Sequence, residues 1–118
     1  MNKIQLHRME SWVRDSIEIN QRHKGCLFWN PGETEAHLNM KFEICKQLSR
    51  WGHEWYSEAI FTRGRGRCDV IDASAGIIYE VLASESEESI ARKRLKYPAE
   101  FEVREIDAKQ KFNEKLLQ

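Results

Sequence analysis

The sequence predicts an α/β fold: a mixed β-sheet flanked by helices, in the order α-α-β-β-β-α-β-α. Three observations predict it. Apolar residues recur at steps of three and four over about residues 4–20 and again from Met40 to Trp51, the period of an amphipathic helix. After Gly52 that period gives way to short apolar and aromatic runs bounded by turn residues, as strands require. A polar helical stretch then separates the third such run from a fourth. An antiparallel three-strand meander followed by a helical crossover to one more strand makes a mixed sheet.

Each element has its own warrant. Leu6, Met9, Val13 and Ile17 form the stripe of the first helix. Lys24–Gly32, with Gly25, Asn30, Pro31 and Gly32, is a loop that carries Phe28 and Trp29. The second helix starts near Glu33, where Glu33 and Glu35 suit the positive end of the dipole. Met40, Ile44, Leu48 and Trp51 are its stripe, and Gly52 is placed to end it in the left-handed conformation. The aromatic run HEWYSEAIF predicts a strand over about 54–61, and TRGRGR a turn with three arginines. CDVIDA (68–73) and IIYEVLA (77–83) are strands joined by the tight Ser74–Gly76 connection, hence a hairpin. Residues 86–96 form a polar helix with Glu88 and Arg92 four apart. EFEVREI (100–106) is the fourth strand, and Ala108, Phe112 and Leu116 share one face of a last helix.

Composition narrows the function classes. The chain has 118 residues, 41% hydrophobic and 32% charged, which suits one globular domain able to bury roughly 65% of its unfolded surface. No apolar run approaches the roughly 20 residues of a membrane span, and MNKIQLHRMESW lacks the apolar core of a secretory signal. Three widely spaced cysteines are no disulfide framework, so a cytoplasmic setting is expected. His23, Cys26, Cys45 and Cys68 lack the paired spacing of zinc sites. With 19 Lys+Arg against 19 Asp+Glu the net charge is zero. Nucleic-acid binding therefore needs a local basic cluster, and RGRGR, with Arg63, Arg65 and Arg67, supplies one. Arginine pairs with phosphate in a bidentate fork, and the glycines let a backbone come close. Arg92, Lys93, Arg94 and Lys96 form a second basic stretch.

Two acids stand apart from the solvated charges. Asp69 opens the apolar run DVI, and Glu80 sits between Ile77, Ile78, Tyr79 and Val81, Leu82, Ala83. A carboxylate in such a strand is costly unless compensated. On adjacent strands of a hairpin the two can point to one face and hold a hard cation such as Mg²⁺, which keeps waters and binds phosphate oxygens. The bland alternative is an ion-pair cluster with arginines or backbone.

From Gly32 to Ile106 the element order and motif positions resemble the PD-(D/E)XK nuclease superfamily, whose fold is the restriction-endonuclease-like core. GETEAHLNMK is similar to its first helix, GRCDVID to its Asp strand, IIYEVLAS to its Glu-x-Lys strand, and ESIARKRLKYP to the basic helix that follows. The single domain that length predicts over 1–118 then divides into an N-terminal extension (1–31) without counterpart in the family core, a nuclease-like core (32–106) and a C-terminal helix (107–118). The resemblance also implies Asp69 and Glu80 as ligands of Mg²⁺ or Mn²⁺, and Glu35, with Glu33 the alternative, as the helix glutamate. The family lysine falls at position 82, where this chain has Leu82. Either a lysine elsewhere serves, Lys93 or else Lys41, or the chain keeps the fold without catalysis.

The expected function is a Mg²⁺-dependent DNA endonuclease with Glu35, Asp69, Glu80 and Lys93 at its centre. Arg63, Arg65, Arg67, Arg92 and Lys96 would grip the DNA backbone. The alternative is an inactive nuclease-fold protein that binds DNA or serves assembly. A homodimer is expected on symmetry grounds, with the first helix, Phe28 and Trp29 as interface surfaces. Glu35 read blandly is a helix-terminal charge, and His37 a surface or packing residue.

Overall fold

The computed structural model describes residues 2–83 and 85–118. The first helix, α1, spans Lys3–Ser16 and opens on a reciprocal cap. The Gln5 N–H donates to the Asn2 side chain, and the Asn2 N–H donates to Gln5 Oε1, each at 2.9 Å. The helix ends before residue 20 because Ile17 leaves it for the sheet. Ile17 forms an antiparallel bridge with Phe61, and the Glu18 N–H donates to Ile60 O at 2.8 Å. Only a short 3₁₀ turn, Ile19–Gln21, follows.

The second helix, α2, spans Glu35–Arg50 behind a Thr34 cap, whose hydroxyl accepts the His37 N–H at 3.2 Å. Glu33 therefore lies just before the helix. Gly52, with φ +74°, ends it as expected: its N–H donates to Ser49 O, and the His53 N–H reaches back to Leu48 O.

The strands are β1 (Trp55–Ile60), β2 (Arg67–Asp72), β3 (Ile77–Leu82) and β4 (Glu102–Asp107), with α3 (Glu87–Lys96) between the last two. They form one sheet in the order β1-β2-β3-β4. The first two pairings are antiparallel, and β4 joins β3 in parallel after the α3 crossover. The mixed α/β sheet matches the expectation. The last helix does not. Its sequence stripe loses to the sheet: β4 runs on to Asp107, and the Ala108 N–H donates to Leu82 O at 2.8 Å. Asp107 Oδ1 then accepts the Lys109 N–H to make a turn. What remains is a 3₁₀ segment, Glu114–Leu117, capped by Asn113 and anchored where Tyr79 Oη donates to Leu117 O.

Alternating residues feed two cores. Tyr56, Ile71 and Ile78 pack with Val13 and Ile17 of α1 and with Phe61, Tyr97 and Phe101. Trp55, Val70, Tyr79 and Val81 pack with Met40, Ile44, Cys45 and Leu48 of α2. Helices thus cover both faces. The alternation shifts by one residue midway along β1 and β2: Ala59 and Cys68 join the α1 cluster, although their strand parity matches Trp55 and Val70. The residues at the shift are Glu58 and Asp69. Glu58 has φ +46°, a left-handed conformation that costs energy for any residue but glycine. No helix among the described residues is long and apolar enough to cross a membrane.

Candidate functional site

The irregularity at Glu58 and Asp69 is where the sheet opens. The β2–β3 ladder pairs Val70 with Tyr79, Ile71 with Ile78 and Asp72 with Ile77. Towards the other end, side chains replace main-chain partners. Asp69 Oδ2 accepts the Val81 N–H at 2.8 Å, and the Asp69 N–H donates to Glu80 Oε2 at 3.2 Å. The two carboxylates are thus neighbours, each holding a main-chain N–H of the other's strand. Two adjacent acids cannot both ionise cheaply in a buried place. Burial first, and then the Asp69 charge, push the Glu80 carboxyl up to about 9. Asp69 goes the other way: burial raises it, but hydrogen bonds with His37 and Glu80 outweigh that and leave it low.

Asp69 forms part of the wall of a cleft of about 770 Å³. Glu80, 5% exposed, lies behind that wall. Its Oε1 accepts a short hydrogen bond from Tyr97 Oη, which also lies 3.0 Å from Arg67 O. Tyr97 reaches it over Gly66, where an added Cβ would stand 3.1 Å from the ring and where φ is +97°. The second glycine of RGRGR therefore serves the close approach of this tyrosine.

The start of α2 closes the other side. His37 and Lys41, four apart, share one side of the helix, and Glu33, just before the Thr34 cap, meets both. His37 Nδ1 is hydrogen-bonded to Glu33 Oε1, and its Nε2 lies 3.4 Å from Asp69 Oδ2. Asp69 foremost, then Glu33, raise the imidazole to about 9, so it carries a proton at neutral pH. Lys41 is fully buried, its Nζ 3.0 Å from Glu33 Oε1, 3.1 Å from Glu58 Oε1 and 2.8 Å from Phe28 O. Burial alone would raise Glu33, yet His37 and Lys41 hold it low. Its Oε2 is buried without a hydrogen-bond partner among the described residues, an acceptor left for water or a cation.

The structure brings Asp69, Lys93, Lys96 and Arg67 to one cleft, with Glu80 behind Asp69. Lys93 is near enough to act on the Glu80 charge. Glu35 is exposed and off the cleft wall, and Glu33 is on it. Lys41 is committed to Glu33 and Glu58. Arg63, Arg65 and Arg92 do not line the cleft, and neither does Leu82, whose neighbour Ala83 does. His37 and Glu58 were not singled out from sequence as ligands or partners of the acids. For His37 the i, i+4, i+8 spacing of Glu33, His37 and Lys41 was a usable signal.

The donor set bears on the cation that the resemblance implies. Among the described residues no three His, Cys, Asp or Glu side chains converge as a ready cage. Mg²⁺ takes one or two protein carboxylates and otherwise water and substrate phosphate; of the neighbouring pair Asp69 lies on the cleft wall, and Glu80 is buried with its oxygens held by Tyr97 Oη and the Asp69 N–H. Comparison with family models, curated proteins and solved structures gives no match to this chain.

Proposed function

We propose that this is a PD-(D/E)XK-type domain whose cleft binds DNA and hydrolyses its phosphodiester bonds with a divalent cation, Mg²⁺ or Mn²⁺. The observation that carries the reading is the Asp69–Glu80 pair. Asp69 stands on the wall of a cleft rimmed by Arg67, Lys93 and Lys96, and Glu80 lies behind it on the neighbouring strand, where burial and then the Asp69 charge raise its carboxyl. A cation held by Asp69 and Glu80 would take the place of the Glu80 proton, polarise the phosphate and acidify the attacking water.

The chain's own residues supply the remainder. Tyr97 fixes the Glu80 carboxyl by its hydroxyl, and the Val81 N–H orients Asp69. Glu33 holds the His37 ring so that Nε2 faces Asp69. Lys93, on the cleft wall, meets charge on the phosphate in place of the lysine missing at position 82. Arg67 and Lys96 position the DNA backbone without reading sequence. Arg63, Arg65 and Arg92 are left for contacts outside the cleft.

A second reading, a nuclease fold that binds DNA without cutting it, is favoured by Leu82 and by the imidazole already paired with Asp69. Supercoiled and branched DNA incubated with protein and Mg²⁺ or Mn²⁺ separates the two. Cleavage that disappears in Asp69→Ala and Glu80→Ala is expected. Cleavage unchanged in both variants excludes this site, and binding without cleavage establishes the second reading.

The three free cysteines support a cytoplasmic setting. A homodimer would use the outer face of α1, where Ile4 and Trp12 are exposed. Light scattering that gives the mass of one chain would remove it.

A further inference from the structure

We infer that the substrate strand enters this cleft unpaired, with one base stacked on Trp29 beside Arg67. The inference rests on the nucleic-acid reading of the cleft and is independent of cleavage. Trp29 is 60% exposed and Phe28 42% exposed, two adjacent aromatic side chains open to solvent next to the cleft. The loop that carries them is tied down. The Gly25 N–H donates to Trp55 O, Ser57 Oγ donates to Cys26 O at 2.7 Å, and the Phe28 N–H donates to Ser57 Oγ at 2.7 Å. Lys41 Nζ then donates to Phe28 O at 2.8 Å. That ammonium also holds Glu33 and Glu58, so the aromatic loop and the cleft share one buried anchor.

Position completes the case. Phe28 and Trp29 line a small pocket of about 200 Å³, and Asn30, Glu58, Ile60 and Arg67 line both this pocket and the cleft. A strand whose phosphate meets Arg67 therefore has an aromatic surface within reach of its base. Aromatic platforms beside a basic groove are how single strands are held, because every base offers a π face. A base inside a continuous duplex is already stacked on both sides and cannot use such a surface. The occupant that fits the charge and the aromatic wall together is single-stranded DNA, whether free or at a fork or flap.

The test measures binding, with EDTA present so that no strand is cut. A labelled single-stranded oligonucleotide is titrated beside a blunt duplex of the same length, using the parent, Trp29→Ala and Trp29→Phe. The parent is expected to prefer the single strand. Trp29→Ala should weaken single-strand binding by roughly five- to a hundredfold while leaving the duplex unchanged. Trp29→Phe, which keeps a stacking face, should recover most of the loss. Equal affinity of the parent for both DNAs overturns the inference, as does equal loss on both DNAs in Trp29→Ala or parental binding by that variant. Failure of the parent to bind either DNA removes the nucleic-acid reading itself. Stacking-dependent binding by a protein that never cleaves would remove only the hydrolytic part.

Discussion

Asp69 and Asp72 lie three residues apart on β2, each beside a histidine, yet they are in opposite situations. Asp72, 1% exposed, forms a closed set at the hairpin end. Its Oδ2 meets His53 Nδ1 at 2.8 Å, and its Oδ1 accepts the N–H groups of Ser74 and Ala75 at 3.0 and 3.2 Å. Burial raises this carboxyl, and those partners oppose the rise. Asp69, at the open end, has an imidazole, one N–H and a second acid. A third acid, Glu33, stands across the same imidazole. Burial of a carboxylate is thus not by itself a sign of function. An excess of acids over their partners, at the wall of a cleft, is the more telling feature.

The largest effect expected from this contrast is on stability. Asp72→Ala leaves two turn N–H groups and His53 without their acceptor and should cost about 2–4 kcal/mol. Asp69→Asn, which keeps a side-chain acceptor for the Val81 N–H, should cost less, about 1 kcal/mol. Urea unfolding of both variants checks this, and equal losses would break the comparison.

The pH dependence follows next. Glu80 and His37 both titrate near 9 in the folded protein, above their ordinary ranges. From about pH 4.5 for Glu80 and about pH 6.5 for His37, up to about 9, the native state therefore holds protons that the unfolded chain has lost, and stability falls as pH rises through that window. Glu80→Gln, which is neutral throughout, should flatten the fall and leave the part due to His37. A slope identical to the parent's would show that Glu80 carries no extra proton.

Added Mg²⁺ sharpens the same contrast at smaller amplitude. Binding to the native state alone at a few times Kd stabilises by about 1 kcal/mol, or roughly 3–6 °C in Tm for a chain of this size. Melting curves should show that rise for the parent and Asp72→Asn, and lose it in Asp69→Asn and Glu80→Gln. The smallest effect concerns the rim. Arg67→Ala should reduce the log–log salt slope of DNA binding by roughly 0.9, and Arg63→Ala, off the cleft, by less. Equal changes would mean that the whole turn contacts DNA.

Much of the fold was legible because local patterns and tertiary packing agree. The helical stripes of α1 and α2, the Gly52 stop, the hairpin and the crossover each follow from residues close in sequence. The misses are places where sheet hydrogen bonds outbid a helical pattern, at Ile17 and after Asp107. In the site, Asp69 and Glu80 stood out because charged residues interrupt apolar strands. His37 did not, since a histidine on a polar helical turn has no distinguishing neighbourhood until the sheet is set against it. Glu35 and Glu33 are two residues apart, and only the placement of the Thr34 cap decides which of them lies on the cleft wall.

The sequence by itself determined the order of elements as far as the fourth strand, the two acids on adjacent strands and the basic turn, because these depend on periodicity and residue type over short spans. Tertiary structure decided the rest. It shifted the alternation at Glu58 and Asp69, buried Lys41 as an anchor, seated Tyr97 on Glu80 over Gly66, and kept only Arg67 of the three turn arginines on the cleft wall. Those outcomes depend on which distant groups satisfy a buried charge, and that competition is settled only when the sheet and its helices close around it.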